Sequence, residues 1–231
     1  MKSILENIKS IEKCINFIKT NGRITIVAVT KTFPAQDVLA ALQCGIRHIG
    51  ESKIQEALPK FNELNDSLVD IQKHFIGHLQ TNKVKKAVEN FDLIQSLDSL
   101  HLCESIDHYA RIIGKIQDCF IEVKVSEENA KTGISAEEII SFYERCLAFK
   151  NIRIKGLMSI APNCQNPQDS RPYFKRTRKL FESIQKTFNK NEFNCLSMGM
   201  SGDFEIAIEE GANFVRIGSA IFGERNYGTD K

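Results

Sequence analysis

Short apolar runs rich in β-branched residues recur along the chain, each followed by a stretch whose apolar positions repeat at helical spacing. The runs predict strands over residues 23–30, 47–50, 74–78, 93–97, 119–125, 153–160, 195–200 and 214–218. Helices are expected over 34–44, 52–64, 81–90, 99–115, 136–149, 168–190 and 203–210. Local signals agree. Pro34 suits a first helical turn, Ser135 with Glu138 matches a capping box, and Gly45 and Gly211 sit just past two helix ends. Eight strands alternating with helices imply parallel pairing through right-handed crossovers. An open doubly wound sheet competes with a closed barrel. The count of eight, and the absence of Gly-x-Gly-x-x-Gly after the first strand, favour an α/β fold of the single (β/α)8 TIM type. The amphipathic N-terminal segment then supplies the eighth outer helix, since little chain follows the last strand. No linker, low-complexity stretch or repeat divides the sequence, so residues 1–231 are expected to form one domain. Residues 162–171, rich in Asn, Gln and Pro, read as a mobile loop after the sixth strand.

Composition narrows the classes of function. A chain of 231 residues with 42% hydrophobic content can bury a large core. Basic and acidic residues number 31 and 29, so the net charge is only +2. They are spread along the chain, and no basic stripe singles out nucleic acid as a partner. Seven cysteines are scattered without a Cys-x-x-Cys pair, which fits buried thiols in a reducing compartment rather than a disulfide framework or a thiolate zinc site. The N-terminal segment carries charges throughout and reads neither as a signal peptide nor as an anchor. No run is long and apolar enough to span a bilayer. A cytoplasmic protein without a membrane partner is expected.

Barrels of this type place their chemistry where the strands end. Those ends present Lys31, Glu51 with Ser52, His78, Asp98, Ser126, Ser201, and Gly218 with Ser219. Lys31 directly follows the run ITIVAVT, so its amine rises from the core into the mouth. Partial desolvation there would leave it neutral and able to attack an aldehyde. Equally, such a lysine can lay its stem on the rim and reach solvent. The loops after the last two strands, where such barrels commonly hold a phosphate, read MGMSGDFEIAI and VRIGSAIFG. Ser201 before Gly202, and Gly218 before Ser219, bring hydroxyls and backbone N–H groups together. Arg216 shares a strand face with Gly218, and its partner is either a ring nitrogen of a bound ligand or a carboxylate such as Glu51. Lysine, anion cup and arginine together suit pyridoxal 5′-phosphate, and they also suit a Schiff-base aldolase acting on a phosphorylated sugar. His74 and His78 would share a strand face but lack a third metal ligand, and Glu51 with Asp98 offers a carboxylate pair for which a structural role is expected.

Several longer segments carry a resemblance. Residues 28–38 (AVTKTFPAQDV), 49–56 (IGESKIQE), 74–83 (HFIGHLQTNK), 125–134 (VSEENAKTGI), 155–160 (KGLMSI), 196–208 (LSMGMSGDFEIAI) and 215–227 (VRIGSAIFGERNY) span almost the whole chain. Through them the sequence resembles the pyridoxal phosphate homeostasis proteins of the YggS and PROSC type. That likeness implies a fold-type III barrel similar to the N-terminal domain of alanine racemase. It implies Lys31 as the Schiff-base lysine, Ser201, Gly218 and Ser219 as phosphate ligands, and Arg216 as the partner of the pyridine nitrogen. Where the family usually has Gly-Glu-Asn this chain has Gly50-Glu51-Ser52, so a cofactor contact at Ser52 would pass to a shorter side chain.

An arginine only donates, so it would leave that nitrogen unprotonated and weaken the ring as an electron sink. A racemase also needs two opposed acid–base groups. Tyr109, Tyr143 and Tyr173 fall in helices or the segment leading into one, Tyr227 falls in the tail, and no second domain is expected after the last strand. The expectation is a protein that stores, buffers or delivers the cofactor with little turnover, as a monomer or weak dimer, with PLP-dependent apoenzymes as transient acceptors. A weak amino-acid racemase is the alternative, and the aldolase stands third.

Overall fold

The computed structural model describes residues 3–18, 22–126, 132–189 and 191–224. Its backbone ladder runs through eight strands in chain order and closes on itself. They are β1 (Thr25–Val29), β2 (His48–Glu51), β3 (Gln72–Phe75), β4 (Leu93–Leu97), β5 (Gln117–Val123), β6 (Ile152–Ser159), β7 (Cys195–Ser197) and β8 (Phe214–Ile217). Every pairing is parallel, and the closing seam sets Thr25 to Ala28 against Phe214 to Ile217. The (β/α)8 barrel expected from the alternation is the observed fold. Two strands end three residues before the apolar runs suggested. β3 stops at Phe75 and β7 at Ser197, where Gly199 turns the chain with φ of 89°. The residues beyond them lie in rim loops, where Met198 is buried, Ile76 half-buried and Met200 exposed.

Around the barrel lie α1 (Ile4–Phe17), α2 (Ala35–Gln43), α3 (Ile54–Leu64), α4 (Val84–Asn90), α5 (Leu100–Ile112), α6 (Ile139–Cys146), α7 (Arg171–Phe188), α8 (Phe204–Glu209) and α9 (Ser219–Phe222). The start of α1 is a reciprocal capping box, with Ser3 Oγ accepting from Glu6 N–H at 3.2 Å and Ser3 N–H donating to the Glu6 carboxylate at 2.8 Å. Ser135 and Glu138 bond as expected, but the helix expected from residue 136 begins only at Ile139. Pro34 is the cap of α2 rather than its first residue. Gly45 and Gly211 both take positive φ at helix ends, as their positions suggested. One α-helix lies outside the expected elements. The four-residue α9 follows β8, and α1 packs over it, with Asn7 Nδ2 donating to Ile221 O at 2.8 Å. Four residues leave too little periodicity to read as a helix. Among the described residues, no helix is long and apolar enough to cross a membrane.

Most of the core lies between strands and helices. Inside the barrel a separate cluster of Leu93, Phe120, Met158 and Cys195 packs with Phe214. Two residues further along three of these strands, on the same face, come Gln95, Ser197 and Arg216, all buried. The interior therefore changes from apolar to polar one layer nearer the mouth, where such barrels are usually filled by branched aliphatics.

Close approach of β6 and β7 requires Gly156, since a Cβ there would lie 1.7 Å from the Cys195 carbonyl oxygen. Gly156→Ala is expected to cost about 3 kcal/mol, read from the urea midpoint, because backbone rather than side chain must move. Gly202→Ala, whose Cβ meets nothing within 4 Å, should stay within about 0.5 kcal/mol of wild type. Equal losses for the two would contradict this packing.

Candidate functional site

At the C-terminal mouth of the barrel lies a cavity of about 690 Å³, within the range of small-ligand sites. Lys31, Ser201, Arg216, Gly218 and Ser219 all line it, so five of the six residues singled out in the sequence face one space. Apolar walls come from Val29, Ile76, Ile160 and Met200. Asn163 also contributes, from the 162–171 loop to which the sequence assigned no chemistry.

Lys31 stands two residues beyond buried Val29, which carries its side chain to the cavity face. Across the mouth, Ser201 Oγ accepts hydrogen bonds from Gly218 N–H and Ala220 N–H, both at 3.2 Å. These bonds tie the loop after β7 to the start of α9. They also show that the two N–H groups converge on a point where an oxygen sits comfortably. Beside them, a Cβ on Gly202 would stand in open space, so the loop leaves room for a larger group. Two converging donors, adjacent hydroxyls and an open glycine fit a phosphate.

Arg216 is 4% exposed. Its Nη1 donates to Ser197 Oγ at 2.7 Å and its Nη2 to the Ser159 carbonyl at 2.8 Å. The sequence left Glu51 open as its partner, and the structure corrects this. Glu51 is fully buried and bonded to Lys60 at 2.6 Å and to Thr30 Oγ1 at 2.7 Å. Burial lowers the guanidinium pKa to about 10, with Glu122 and Asp203 pulling the other way, so the group stays charged at neutral pH.

From Arg216 a hydrogen-bond chain runs through the barrel. Ser197 Oγ bonds Gln95 Oε1 at 2.7 Å, Gln95 Nε2 bonds His74 Nδ1 at 2.8 Å, and His74 Nε2 bonds His48 Nδ1 at 3.0 Å. Its direction follows from the first member. An arginine only donates, so the Ser197 proton goes to the Gln95 oxygen, and the Gln95 amide then donates to His74. His74 must carry its single proton on Nε2, facing His48. Burial, then the charge of His48, lowers the His74 pKa to about 3, and burial, then Arg23, lowers that of His48. Neither Gln95 nor His74 was assigned a role at the mouth; the readable signal was their alternation with apolar residues on one strand face.

Other expectations separate. Ser52 is not among the residues lining the cavity, and its backbone instead closes on Gly77, where a Cβ would lie 2.3 Å from Ser52 O. His74 and His78 do not share a strand face, because β3 ends before His78, which is exposed and lies 3.4 Å from Asp98. Glu51 and Asp98 make no carboxylate pair, each having its own cationic or imidazole partner. Ser126 is not among the lining residues. Tyr143 is buried among Phe188 and Phe193, and among the described residues no tyrosine lines the cavity. Tyr227 lies outside the described residues.

A closed parallel barrel thus brings an amine, a buried guanidinium and two converging backbone donors to one cavity. The chain belongs to the family described as alanine racemase, N-terminal domain, whose profile matches residues 2–226. It is 43% identical over 202 residues to a pyridoxal phosphate homeostasis protein of Aquifex aeolicus, covering 87% of each chain. To the protein of the same name from Synechocystis it is 40% identical over 204 residues, covering 87% of this chain and 92% of the other. PipY of Synechococcus elongatus, solved with PLP bound, superposes with a TM-score of 0.87 at 32% identity, over 96% of this chain and all of that one.

His74 yields a pH signature. Held neutral by burial, it takes up a proton when the chain unfolds, so its stabilisation is present above about pH 6.5 and is lost as pH falls towards 3. That amounts to roughly 1 kcal/mol per pH unit within the window. Urea midpoints measured between about pH 7.5 and about pH 5 should fall more steeply for wild type than for His74→Gln. Parallel slopes would refute a buried neutral imidazole.

Proposed function

We propose that the protein binds pyridoxal 5′-phosphate as a Schiff base on Lys31 and stores, buffers or delivers it, with little turnover of its own. One observation carries this reading: Lys31 and the cup formed by Ser201, Gly218 and Ser219 line the same cavity. The relatives named as homeostasis proteins, and PipY with its bound cofactor, support it. When bound, the cofactor supplies an aldehyde and an electron-withdrawing ring. The chain supplies the rest. Ser201 and the 218–220 backbone hold the phosphate, Ser219 adds a hydroxyl, and Lys31 takes the covalent bond. Arg216, fixed by Ser197 and Ser159, donates to the ring nitrogen and cannot protonate it. Racemisation needs a second acid–base group opposite the lysine; none of the described tyrosines lines the cavity, and the carboxylate among the described lining residues is that of Glu224. Apoenzymes that require the cofactor are the transient acceptors. The free cysteines, buried or half-buried, fit the cytoplasm, where thiols stay reduced.

Borohydride reduction followed by peptide mapping tests this directly. The reduced cofactor should appear on the peptide containing Lys31 and be absent from Lys31→Ala. Ser201→Ala, which removes one charge-assisted contact to the phosphate, should weaken retention about 10-fold. Label on a different lysine, or racemisation of any amino acid above the Lys31→Ala background, would refute the proposal.

A further inference from the structure

Behind Lys31 lies a buried ionic cluster that the binding reading does not use. Lys60, on α3, is 7% exposed at its side chain. Its ammonium donates to Thr30 O at 2.7 Å, to Glu51 Oε1 at 2.6 Å and to Glu56 Oε1 at 3.2 Å. Glu56, one helical turn before it, accepts the Thr32 N–H. The two peptide groups flanking Lys31 are thus held by the two members of one ion pair, the carbonyl by the cation and the N–H by the anion. Thr32 has φ of 70°, a left-handed conformation that a β-branched residue adopts only under constraint. Thr30, fully buried, is fastened again through Oγ1 to Glu51.

Buried ion pairs are poor sources of stability, because desolvation offsets most of the attraction. Here the pair has a geometric consequence instead. Fixing the peptides on both sides of a residue fixes its φ and ψ, and with them the direction of its Cα–Cβ bond. We propose that Lys60 and Glu56 are positioning residues that aim the Lys31 amine at the carbonyl of the bound cofactor. This rests on the assignment of Lys31 given above. In the step they serve, the neutral amine adds to the aldehyde carbon, water leaves, and a C=N bond replaces C=O. No electrons are exchanged with another reactant. Misdirection of the nucleophile by about 1 Å is enough to slow such a step on the order of 100-fold.

The test separates attachment from binding. The rate of covalent attachment is followed by absorbance on mixing with pyridoxal 5′-phosphate. Affinity is measured with pyridoxine 5′-phosphate, which has the same ring and phosphate but an alcohol that cannot bond the amine. Lys60→Met and Glu56→Ala are expected to slow attachment roughly 10- to 100-fold while pyridoxine 5′-phosphate affinity stays within about 2-fold. Glu56→Gln, which keeps an acceptor for Thr32 N–H, should retain most of the rate. Unchanged rates in both clamp variants would overturn the proposal, and so would rate and affinity falling together. Should Lys60→Met fail to fold, the Glu56 variants decide alone, since that side chain is already 28% exposed. A wild-type protein with no Lys31-dependent absorbance would sink the underlying binding assignment, an outcome distinct from a wild type that reacts normally beside unaffected variants.

Discussion

A guanidinium inside a barrel sets the terms for everything near it. Arg216 carries its charge at neutral pH with almost no water, and its two hydrogen-bonded partners are neutral oxygens. A buried ion costs several kcal/mol unless its donors are satisfied, so Ser197 Oγ and the Ser159 carbonyl are required rather than incidental. Each answer creates a further demand. Ser197 needs an acceptor and finds Gln95, Gln95 needs another and finds His74, and His74 finds His48. A buried network is tolerable only when its members are satisfied, and this one reaches from the mouth towards the start of β2 before a half-buried group ends it.

The site combines two kinds of restraint. On one side, the loop after β7 and the start of α9 are joined by a single hydroxyl, Ser201, whose two bonds an arriving phosphate oxygen can replace. That side is adaptable. On the other side the Lys31 backbone is held by ionic bonds to α3 and has little freedom. Arg216 is fixed by the polar layer through Ser197 and Ser159. A fixed lysine backbone, a fixed donor and an adaptable anion cup suit the phosphorylated ligand proposed above.

Much of this was legible in the chain. Alternation of β-rich runs with helical periodicity gave eight strands in their observed order, the strand-end rule included Lys31, Ser201, Gly218 and Ser219 among its candidates, and the strand face shared with Gly218 added Arg216. What escaped was long-range. Lys60 looks like any solvated helical lysine until α3 packs on β2 beside the turn after β1, and only then do Thr30, Glu51 and Glu56 surround it. Glu51 was a plausible partner for Arg216 because both lie on barrel strands; which side of the wall each faces is decided by strand register. Ser52 stands at a strand end, as cavity residues do, yet the close passage of Gly77 takes it out of the lining. The polar layer of Gln95 and His74 could be read as polar residues alternating with apolar ones, but only closure of the barrel shows that they touch.

The central claim concerns relative placement, so a crystal structure of the protein with pyridoxal 5′-phosphate tests it most directly. Continuous density is predicted from the Lys31 side chain to a ring whose phosphate lies against Ser201 and the backbone of residues 218–220, with the ring nitrogen facing Arg216. A cofactor bound elsewhere, or one seated in the cup with the Lys31 amine pointing away from its carbonyl carbon, would contradict the account.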